Sequence, residues 1–255
     1  MVRGKRVAIV LPAYNAAKTL ESTYNEIPRD IVDEIILVDD ASTDTTAAIA
    51  RSLNITTIVH ARNTGYGGNQ KTCYEAALTS KADFVIMLHP DYQYTPKLIT
   101  AMAYLLESRE FDVVLGSRIL GGKAIRGGMP VYKYVSNRIL TLLQNLIIGA
   151  KLSEYHTGYR AYSREVLESL PWSENSDDFV FDNQFLSQAI YAGFRIGEVT
   201  CPARYFREAS SINFVRSVKY GLGCILTAVQ FRFAKWNLIS PRIFSFEHSF
   251  LKQPS

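Results

Sequence analysis

Acidic side chains follow two short apolar runs of this chain, at the points where those runs end. Asp39 and Asp40 come directly after one run, and Asp91 follows another, with Gln93 two residues later. Adjacent carboxylates can accept hydrogen bonds from a base N–H group or from ribose hydroxyls. A carboxylate and a side-chain amide at this spacing could hold a divalent cation against a diphosphate. Asp91 alone would be typical of a turn, so the prediction of a nucleotide and metal site depends on the combination.

The elements that must position these acids alternate between β-like runs and helical patterns. Apolar runs rich in β-branched residues are predicted as buried parallel strands at 7–11, 34–38, 56–59, 84–88 and 113–115. Helices are predicted at 16–27, 44–53, 69–80, 96–108, 130–148 and 178–192, and two later strand-like pieces at 195–199 and 203–206. Such a series indicates an α/β protein with a doubly wound sheet, whose ligand site lies at the carboxyl ends of the strands.

Length, charge and cysteine usage exclude several classes of protein. The 255 residues suffice for one large α/β domain, and no repeat or linker divides them. Three widely spaced cysteines suggest neither a disulfide framework nor a zinc site. The first strand is followed by Pro-Ala-Tyr-Asn instead of GxGxxG, which disfavours a dinucleotide-binding dehydrogenase. The start does not read as a signal peptide. We therefore expect a cytoplasmic protein, and we expect no nucleic-acid partner.

The ordered motifs resemble family 2 glycosyltransferases of GT-A fold. They are PxYN at 12–15, DDxSxD at 39–44, a DxD-like segment ending at Asp91, RNTGYGGN at 62–69, GSR at 116–118, TGYR at 157–160 and FD at 181–182. Within that family the chain is most similar to the dolichyl-phosphate mannose synthase and polyprenyl-phosphate glycosyltransferase group. The resemblance implies a GT-A (Rossmann-like) catalytic domain over 1–210, with a mostly parallel central sheet flanked by helices, and a C-terminal helical extension over 211–255.

The resemblance also implies roles for residues at matching positions. The donor nucleotide would contact Pro12, Ala13, Tyr14, Asn15, Asp39, Asp40, Ser42, Gly68, Lys71, Pro90 and Asp91. Mg²⁺ or Mn²⁺ would be bound by Asp91 and Gln93, with His89 in the place of the first acid of the DxD motif. Phosphate groups of donor or acceptor would be faced by Arg118, Arg160 and Arg207. The implied reaction is an inverting displacement at the anomeric carbon, in which the cation and the arginines stabilise the leaving diphosphate.

Departures from the family pattern leave the metal, the donor base and the acceptor open. Imidazole at His89 is a poor ligand for Mg²⁺ but acceptable to Mn²⁺. Ala16 stands where relatives commonly carry Glu, Glu154 stands where they carry Asp, and Gln184 departs from the FDxE pattern.

The acceptor decides whether a general base is needed. An alcohol is too weak an acid to attack unaided at neutral pH, so it needs a base, for which Asp182 is the first candidate and Glu154 the second. A lipid phosphate is already anionic and needs cations instead; arginines are available at 118, 126, 160, 204 and 207. We therefore expect sugar transfer from GDP-mannose or a UDP-sugar to a polyprenyl or dolichyl phosphate. The alternatives are a soluble alcohol acceptor, such as a glycan or natural product, and a nucleotide-binding relative that has lost catalysis.

The C-terminal segment bears on the same question. Residues 212–246 include five basic side chains and no acidic one, and apolar residues recur at helical spacing from Phe214 to Val229. This pattern predicts a helix that lies in an anionic membrane interface, peripheral on the inner membrane face. A helix packed on the catalytic domain or against a second subunit of a homo-oligomer fits equally well. No uninterrupted apolar run is long enough for a spanning helix.

Overall fold

A seven-stranded mixed sheet forms the centre of the molecule. The computed structural model describes residues 1–122, 124–202, 205 and 214–246. The strands are β1 Val7–Ala13, β2 Glu34–Asp39, β3 Thr56–Val59, β4 Phe84–Met87, β5 Val113–Ser117, β6 Arg160–Ser163 and β7 Ile196–Thr200. Their spatial order is β3-β2-β1-β4-β6-β5-β7. The helices are α1 Leu20–Asn25, α2 Thr46–Ser52, α3 Tyr66–Thr79, α4 Ile99–Glu107, α5 Val131–Gln144, α6 Arg164–Ser169, α7 Phe181–Tyr191 and α8 Phe214–Lys235.

The predicted mostly parallel sheet is confirmed, with one strand that the sequence did not identify. β6 runs antiparallel to both β4 and β5 and separates them. Every other pairing among the described strands is parallel. β6 has only four residues and begins with a buried arginine, so it carries no apolar run for a pattern to detect.

Helix boundaries differ from the prediction where side chains hold the loop before a helix. α1 begins at Leu20 rather than at residue 16, because the Ala16 and Ala17 backbone N–H groups donate to Thr46 Oγ1 (2.8 Å) and Asp44 Oδ2 (3.1 Å). These bonds tie the loop after β1 to the loop after β2. α3 begins at Tyr66, inside the RNTGYGGN motif, and the helix predicted over 130–148 is α5 followed by a π-helical turn, Asn145–Gly149.

Helices cover both faces of the sheet and bury two apolar layers. One layer packs β-strand side chains such as Val10 and Val38 against α3, α7 and α8, and includes Phe185 and Phe231. The other packs the opposite strand faces against α1, α2 and α4. The predicted C-terminal helix is confirmed as α8, which packs on α5 and α7. None of the described helices is long and apolar enough to cross a membrane.

Candidate active site

A cavity of about 500 Å³ opens at the carboxyl ends of β4 and β5. Its polar wall includes His89, Asp91 and Gln93, which follow β4, together with Arg118 after β5. Its other walls come from the start of α3, the segment before α5, α5 itself, the loop before β6, the start of α7, Tyr205 after β7, and α8. They include Tyr66, Met129, Tyr132, Lys133, Ile139, Leu140, His156, Gly158, Phe179, Asp182, Tyr205, Val218 and Tyr220. Residues far apart in sequence thus meet at the sheet edge where ligands bind in such folds.

Asp182 lines this cavity and is part of a chain of hydrogen bonds with Tyr66 and His89. The Tyr66 hydroxyl donates to Asp182 Oδ2 at 2.6 Å, and His89 Nε2 lies 3.0 Å from the same hydroxyl. Asp182 Oδ1 is buried and has no hydrogen-bond partner within the described ranges. Burial and the neighbouring Asp182 charge raise the pKa of the Tyr66 phenol, so Tyr66 stays a donor. Asp182, the first candidate base, therefore has one carboxylate oxygen bonded to Tyr66 and one without a hydrogen-bond partner among the described residues.

Glu154, the second candidate base, is enclosed in an ion pair with Arg118. Its Oε1 accepts from Arg118 Nε (2.9 Å), from Arg118 Nη2 and from Asn137 Nδ2 (2.8 Å), and its Oε2 accepts from the Arg118 backbone N–H (2.9 Å). Burial by itself would raise the pKa of Glu154, but the charge and hydrogen bonds of Arg118 outweigh it and lower that pKa. Glu154 is fully buried and does not line the cavity. The geometry suits it to hold Arg118 rather than to take a proton.

Arg118 reaches the cavity, whereas Arg160 does not. Arg118 Nη1 donates to the Tyr205 hydroxyl at 2.9 Å, and its guanidinium lines the wall. Arg160 is fully buried, and its Nε, Nη1 and Nη2 donate to the carbonyl oxygens of Thr157 (2.8 Å), Asp182 (2.6 Å) and Tyr155 (2.9 Å). Arg160 is therefore absent from the cavity wall, and its predicted contact with a phosphate gains no support from this arrangement. Its donors are used to tie the loop before β6 to the start of α7.

The predicted nucleoside-binding residues lie at the ends of β1 and β2 and in the loops that follow them. Asp39 is buried and accepts hydrogen bonds from the Ser42 backbone N–H (3.2 Å) and hydroxyl. Ser42 Oγ in turn accepts from the Asn15 backbone N–H at 2.8 Å. Pro12 and Ala13 are buried at the end of β1, while Tyr14 is 55% exposed. Hydrogen bonds thus join the loop after β1 to the loop after β2.

Asp40 points the other way and organises the segment before α3. Its Oδ1 lies 2.8 Å from His60 Nδ1 and accepts from the Thr64 backbone N–H at 2.8 Å, while Oδ2 accepts from the Gly65 N–H at 3.1 Å. Asp40 is only 3% exposed. In this arrangement the Asp40 carboxylate fixes the conformation of the segment that leads into α3.

Gly68 and Lys71 lie on the first turns of α3, against residues 175 and 177. Lys71 Nζ donates to the Asn175 carbonyl (2.6 Å) and pairs with Asp177 (2.7 Å). A Cβ at Gly68 would approach Thr64 to 3.0 Å. These two residues, which were predicted to contact the donor nucleotide, thus take part in the packing of α3. Arg207, predicted to face a phosphate, lies outside the described residues, as does Arg204.

The loops after β1, β2 and β4 each contain a residue with a strained backbone conformation. Asn15, Ala41 and Tyr92 have φ values of 52°, 59° and 57°, in the left-handed region that residues with a Cβ rarely adopt. Such outliers cluster at functional sites, where surrounding structure holds them. Their positions after β1, β2 and β4 agree with a ligand site there.

The DxD-like segment offers a partial set of metal ligands. Asp91 and His89 line the same cavity wall as Gln93, and Pro90 is buried between them. Over the ranges that the structure describes, no three His, Cys, Asp or Glu side chains cluster closely enough to form a closed metal site. A carboxylate with an imidazole or amide fits a cation whose remaining ligands come from a diphosphate and water.

Several cavity residues were missed by sequence reasoning. Tyr66 stands inside the RNTGYGGN motif and Lys133 on α5, but neither position carries a chemical signature by itself. His156 also lines the cavity. Its Nδ1 lies 2.7 Å from the Tyr220 hydroxyl, and its Nε2 is buried without a partner among the residues described. Burial lowers the pKa of His156 to about 4, so the ring is neutral at pH 7.

Comparison with known proteins identifies the family of the chain. The family model described as Glycosyl transferase family 2 matches residues 8–170. The chain is 27% identical over 218 residues to UDP-N-acetylglucosamine–dolichyl-phosphate N-acetylglucosaminyltransferase of Methanococcus voltae, covering 79% of this chain and 86% of that protein. It is 30% identical over 202 residues to dolichyl-phosphate hexose transferase of Haloferax volcanii, covering 78% of this chain and 82% of the relative.

Solved structures give the same fold. Glucosyl-3-phosphoglycerate synthase from Mycobacterium tuberculosis, in complex with Mn²⁺, UDP and glucosyl-3-phosphoglycerate, superposes with a TM-score of 0.68 at 19% identity, covering 90% of this chain and 80% of that one. The same enzyme with Mg²⁺ and UDP also has a TM-score of 0.68. The predicted GT-A fold is thereby confirmed. With its motifs in order, its sheet of this topology and a family match over most of the catalytic region, the chain belongs to glycosyl transferase family 2.

Proposed function

We propose that this glycosyltransferase moves a sugar from a nucleoside diphosphate sugar to a polyprenyl or dolichyl phosphate at a membrane surface, with inversion at the anomeric carbon. The cavity carries the proposal. Its wall contains the carboxylates Asp91 and Asp182 and the cations Arg118 and Lys133, and it continues onto apolar side chains of α5 and α8. Relatives of the chain bear the names of dolichyl-phosphate sugar transferases.

On the donor side, the loops after β1 and β2 would receive the nucleoside. Asp39 is buried with both oxygens bonded to Ser42, so only their remaining lone pairs would be open to ribose or base, and the exposed Tyr14 ring offers a stacking surface. Asp91, with His89 and Gln93, would hold Mg²⁺ or Mn²⁺. The cation supplies a Lewis acid that stabilises the charge of the departing diphosphate.

On the acceptor side, cations and donors would hold a phosphate. Arg118 is fixed by Glu154 with its guanidinium at the cavity wall, and Lys133 on α5 lines the same cavity. Burial and the Arg118 charge lower the pKa of Lys133. An anion bound between the two cations would reduce their repulsion. The unpartnered Nε2 of His156 adds a third polar atom to this region. A phosphate oxygen positioned there is already anionic and needs no base to attack.

Exposed apolar side chains on α5 and α8 suit a lipid acceptor. We call this set the apolar face: Val131, Tyr132, Val135, Ile139, Leu142, Leu143, Leu146, Val218, Leu222, Leu226, Phe233 and Trp236, each at least 40% exposed. Leu146 and Trp236 lie just past the ends of the two helices, and α5 and α8 pack against each other. A set of exposed apolar side chains on neighbouring helices is typical of an interaction site. Tyr132, Ile139 and Val218 also line the cavity, so an isoprenoid chain could pass from a bilayer into the site. Lys219 and Lys235 on α8 would favour anionic lipids.

The proposal is tested by transfer from radiolabelled UDP- and GDP-sugars to polyprenyl phosphate in detergent, with Mg²⁺ or Mn²⁺. We expect a labelled product that partitions into organic solvent. Asp91→Asn should abolish it, and Lys133→Gln should raise the KM for the lipid phosphate with a smaller effect on the KM for the donor. No lipid-linked product with any common nucleotide sugar would exclude the lipid acceptor.

A second candidate function is transfer to a soluble alcohol, and the free Asp182 Oδ1 favours it. A buried carboxylate oxygen without a partner can accept the proton of an attacking hydroxyl. Strong loss of kcat in Asp182→Asn, together with full activity in the absence of detergent or membrane, would support this acceptor. If the acceptor is a phosphate, Lys133→Gln should reduce activity more than Asp182→Asn does. Tight nucleotide binding without turnover would instead indicate an inactive relative.

A further inference from the structure

The hydrogen-bond chain from His89 through Tyr66 to Asp182 determines which ring nitrogen of His89 carries its proton. A phenol has one proton to donate, and the Asp182 carboxylate, 2.6 Å away, can only accept it. The Tyr66 oxygen must then accept from His89 Nε2, which lies 3.0 Å away. Nε2 is therefore the protonated nitrogen, and Nδ1 of the neutral ring carries a lone pair.

Packing holds the His89 ring in this orientation. The Tyr66 ring stacks on His89 with centroids 5.5 Å apart, and the Phe179 ring packs on Tyr66 with centroids 4.8 Å apart. A Cβ at Gly158 would come within 2.7 Å of His89 Cδ2 and Nε2, so only glycine allows this approach. The Nε2 edge of the ring is thus enclosed, while Nδ1 has no hydrogen bond from any residue described.

We propose that Tyr66 is a positioning residue that holds His89 in its Nε2–H tautomer, so that Nδ1 serves with Asp91 as a protein ligand of the divalent cation. Metal-bound histidines commonly have their second nitrogen fixed by such an outer partner. A nitrogen ligand in place of a carboxylate also favours a transition-metal cation over Mg²⁺, which prefers oxygen ligands. This chain therefore uses Mn²⁺ in preference to Mg²⁺. The inference rests on the metal dependence proposed above.

The same phenol couples the metal side of the cavity to the candidate base. It holds Asp182 Oδ2 and leaves Oδ1 as the free oxygen. Removal of the hydroxyl frees both neighbours at once, because His89 loses its acceptor and Asp182 loses its donor. Tyr66→Phe keeps the stacked ring and removes only that oxygen.

The tautomer can be read directly by ¹⁵N NMR of histidine-labelled protein, because the chain has only four histidines and the signal lost in His89→Asn assigns His89. We expect the Nε2–H tautomer in the wild type and a mixture of tautomers in Tyr66→Phe. Tyr24→Phe is the matched control, since its hydroxyl donates to the Leu53 carbonyl (2.7 Å) and its ring does not line the cavity. An Nδ1–H tautomer in the wild type would overturn the proposal, whether or not the protein transfers sugar.

Cation binding is measured separately, by electron paramagnetic resonance of free Mn²⁺ with UDP as nucleotide probe and Mg²⁺ as competitor. We expect Tyr66→Phe to weaken Mn²⁺ binding about tenfold, the size typical of outer-shell substitutions, and Tyr24→Phe to leave it unchanged. His89→Asp should shift the preference from Mn²⁺ towards Mg²⁺. Equal affinity of wild type and Tyr66→Phe for Mn²⁺, with both folded by circular dichroism, would contradict the role of Tyr66.

Discussion

Buried arginines in this protein mainly hold other groups in place. Arg160 donates to three backbone carbonyls, and Arg118 is enclosed by Glu154 before it reaches the cavity. Burying a charge costs free energy unless partners compensate it, so each guanidinium requires a complete set of acceptors. The difference between them is that Arg118 also lines the cavity.

Glu154→Gln should destabilise the protein by about 3 to 5 kcal/mol, because it leaves the Arg118 charge buried without its counter-ion. Urea unfolding at pH 7 measures the effect. The matched control is Glu168→Gln, which removes an exposed pair with Arg164 and should change stability by less than about 1 kcal/mol. Since Arg118 holds the pKa of Glu154 low, the wild-type advantage is present above the unfolded pKa of about 4.3 and is lost as the pH falls through the lower folded value. Equal effects of the two substitutions would show that the buried pair does not contribute in this way.

At the scale of elements, the glycines of the RNTGYGGN motif serve the packing of α3. A Cβ at Gly67 would lie 2.2 Å from the Ser176 carbonyl oxygen and 2.8 Å from Phe181 Cβ. The Gly67 N–H also donates to the Asp177 carbonyl at 2.8 Å. The start of α3 is thus pressed against the segment that leads into α7, which brings Tyr66 beside Asp182.

Gly67→Ala should therefore destabilise the fold by more than about 2 kcal/mol, as overpacking against backbone does. Gly221→Ala is the matched control on α8, where the new Cβ would make an ordinary contact with Leu140 at 3.6 Å. That substitution should stabilise the protein by about 0.5 to 1 kcal/mol, because alanine has the higher helix propensity. Denaturant midpoints of the two variants give the comparison. A neutral Gly67→Ala would mean that α3 can shift away from residues 176–177.

Sequence patterns predicted the strands that carry apolar runs, and through them the positions of Asp39, Asp40 and Asp91 at strand ends. They could not predict β6, because its partners are selected by tertiary contacts and its first residue is a buried arginine. They also could not separate Arg118 from Arg160, since both stand in motifs of the family. Which side chain faces a cavity depends on the acceptors around it, and those come from segments distant in sequence.

The apolar face of α5 and α8 should bind membranes. Leu222→Glu with Leu226→Glu places two charges on side chains that are 68% and 58% exposed. We expect at least a tenfold loss of binding to phosphatidylserine-containing vesicles in a sedimentation assay, because burial of each leucine contributes about 1.5 to 3 kcal/mol. Tyr104→Glu on α4, 46% exposed on the opposite side of the sheet, is the control and should bind as the wild type does. Unchanged vesicle binding by the double variant would contradict this prediction and would favour a protein partner for this face.

For the whole molecule, the cavity lies where the sheet edge meets α5 and α8, so stability and ligand binding share the same buried groups. His156 is one of them: it lines the cavity, contacts Tyr220 of α8, and its backbone carbonyl accepts from Arg118 Nη2 at 2.6 Å. Its protonation therefore couples the docking of α8 to the pH of the solution.

We predict that His156 makes the free energy of unfolding fall between about pH 6.5 and pH 4. Burial lowers the pKa of this ring to about 4, whereas an unfolded histidine titrates near 6.5. Between these values the unfolded state binds more protons, so stability decreases as the pH is lowered, by at most about 1.4 kcal/mol per pH unit from this group. Above pH 6.5 the contribution is complete and constant.

Urea unfolding of the wild type and of His156→Gln at intervals from pH 7.5 to pH 4.5 tests this prediction. Carboxylates add their own slope below pH 5 in both proteins, so the relevant quantity is the difference between the two curves. That difference should be constant above pH 6.5 and should then change in favour of His156→Gln as the pH falls, because glutamine cannot take up the proton that stabilises the unfolded wild type. Parallel curves over the whole range would show that His156 has an ordinary pKa, and that the α8 contact leaves the ring open to water.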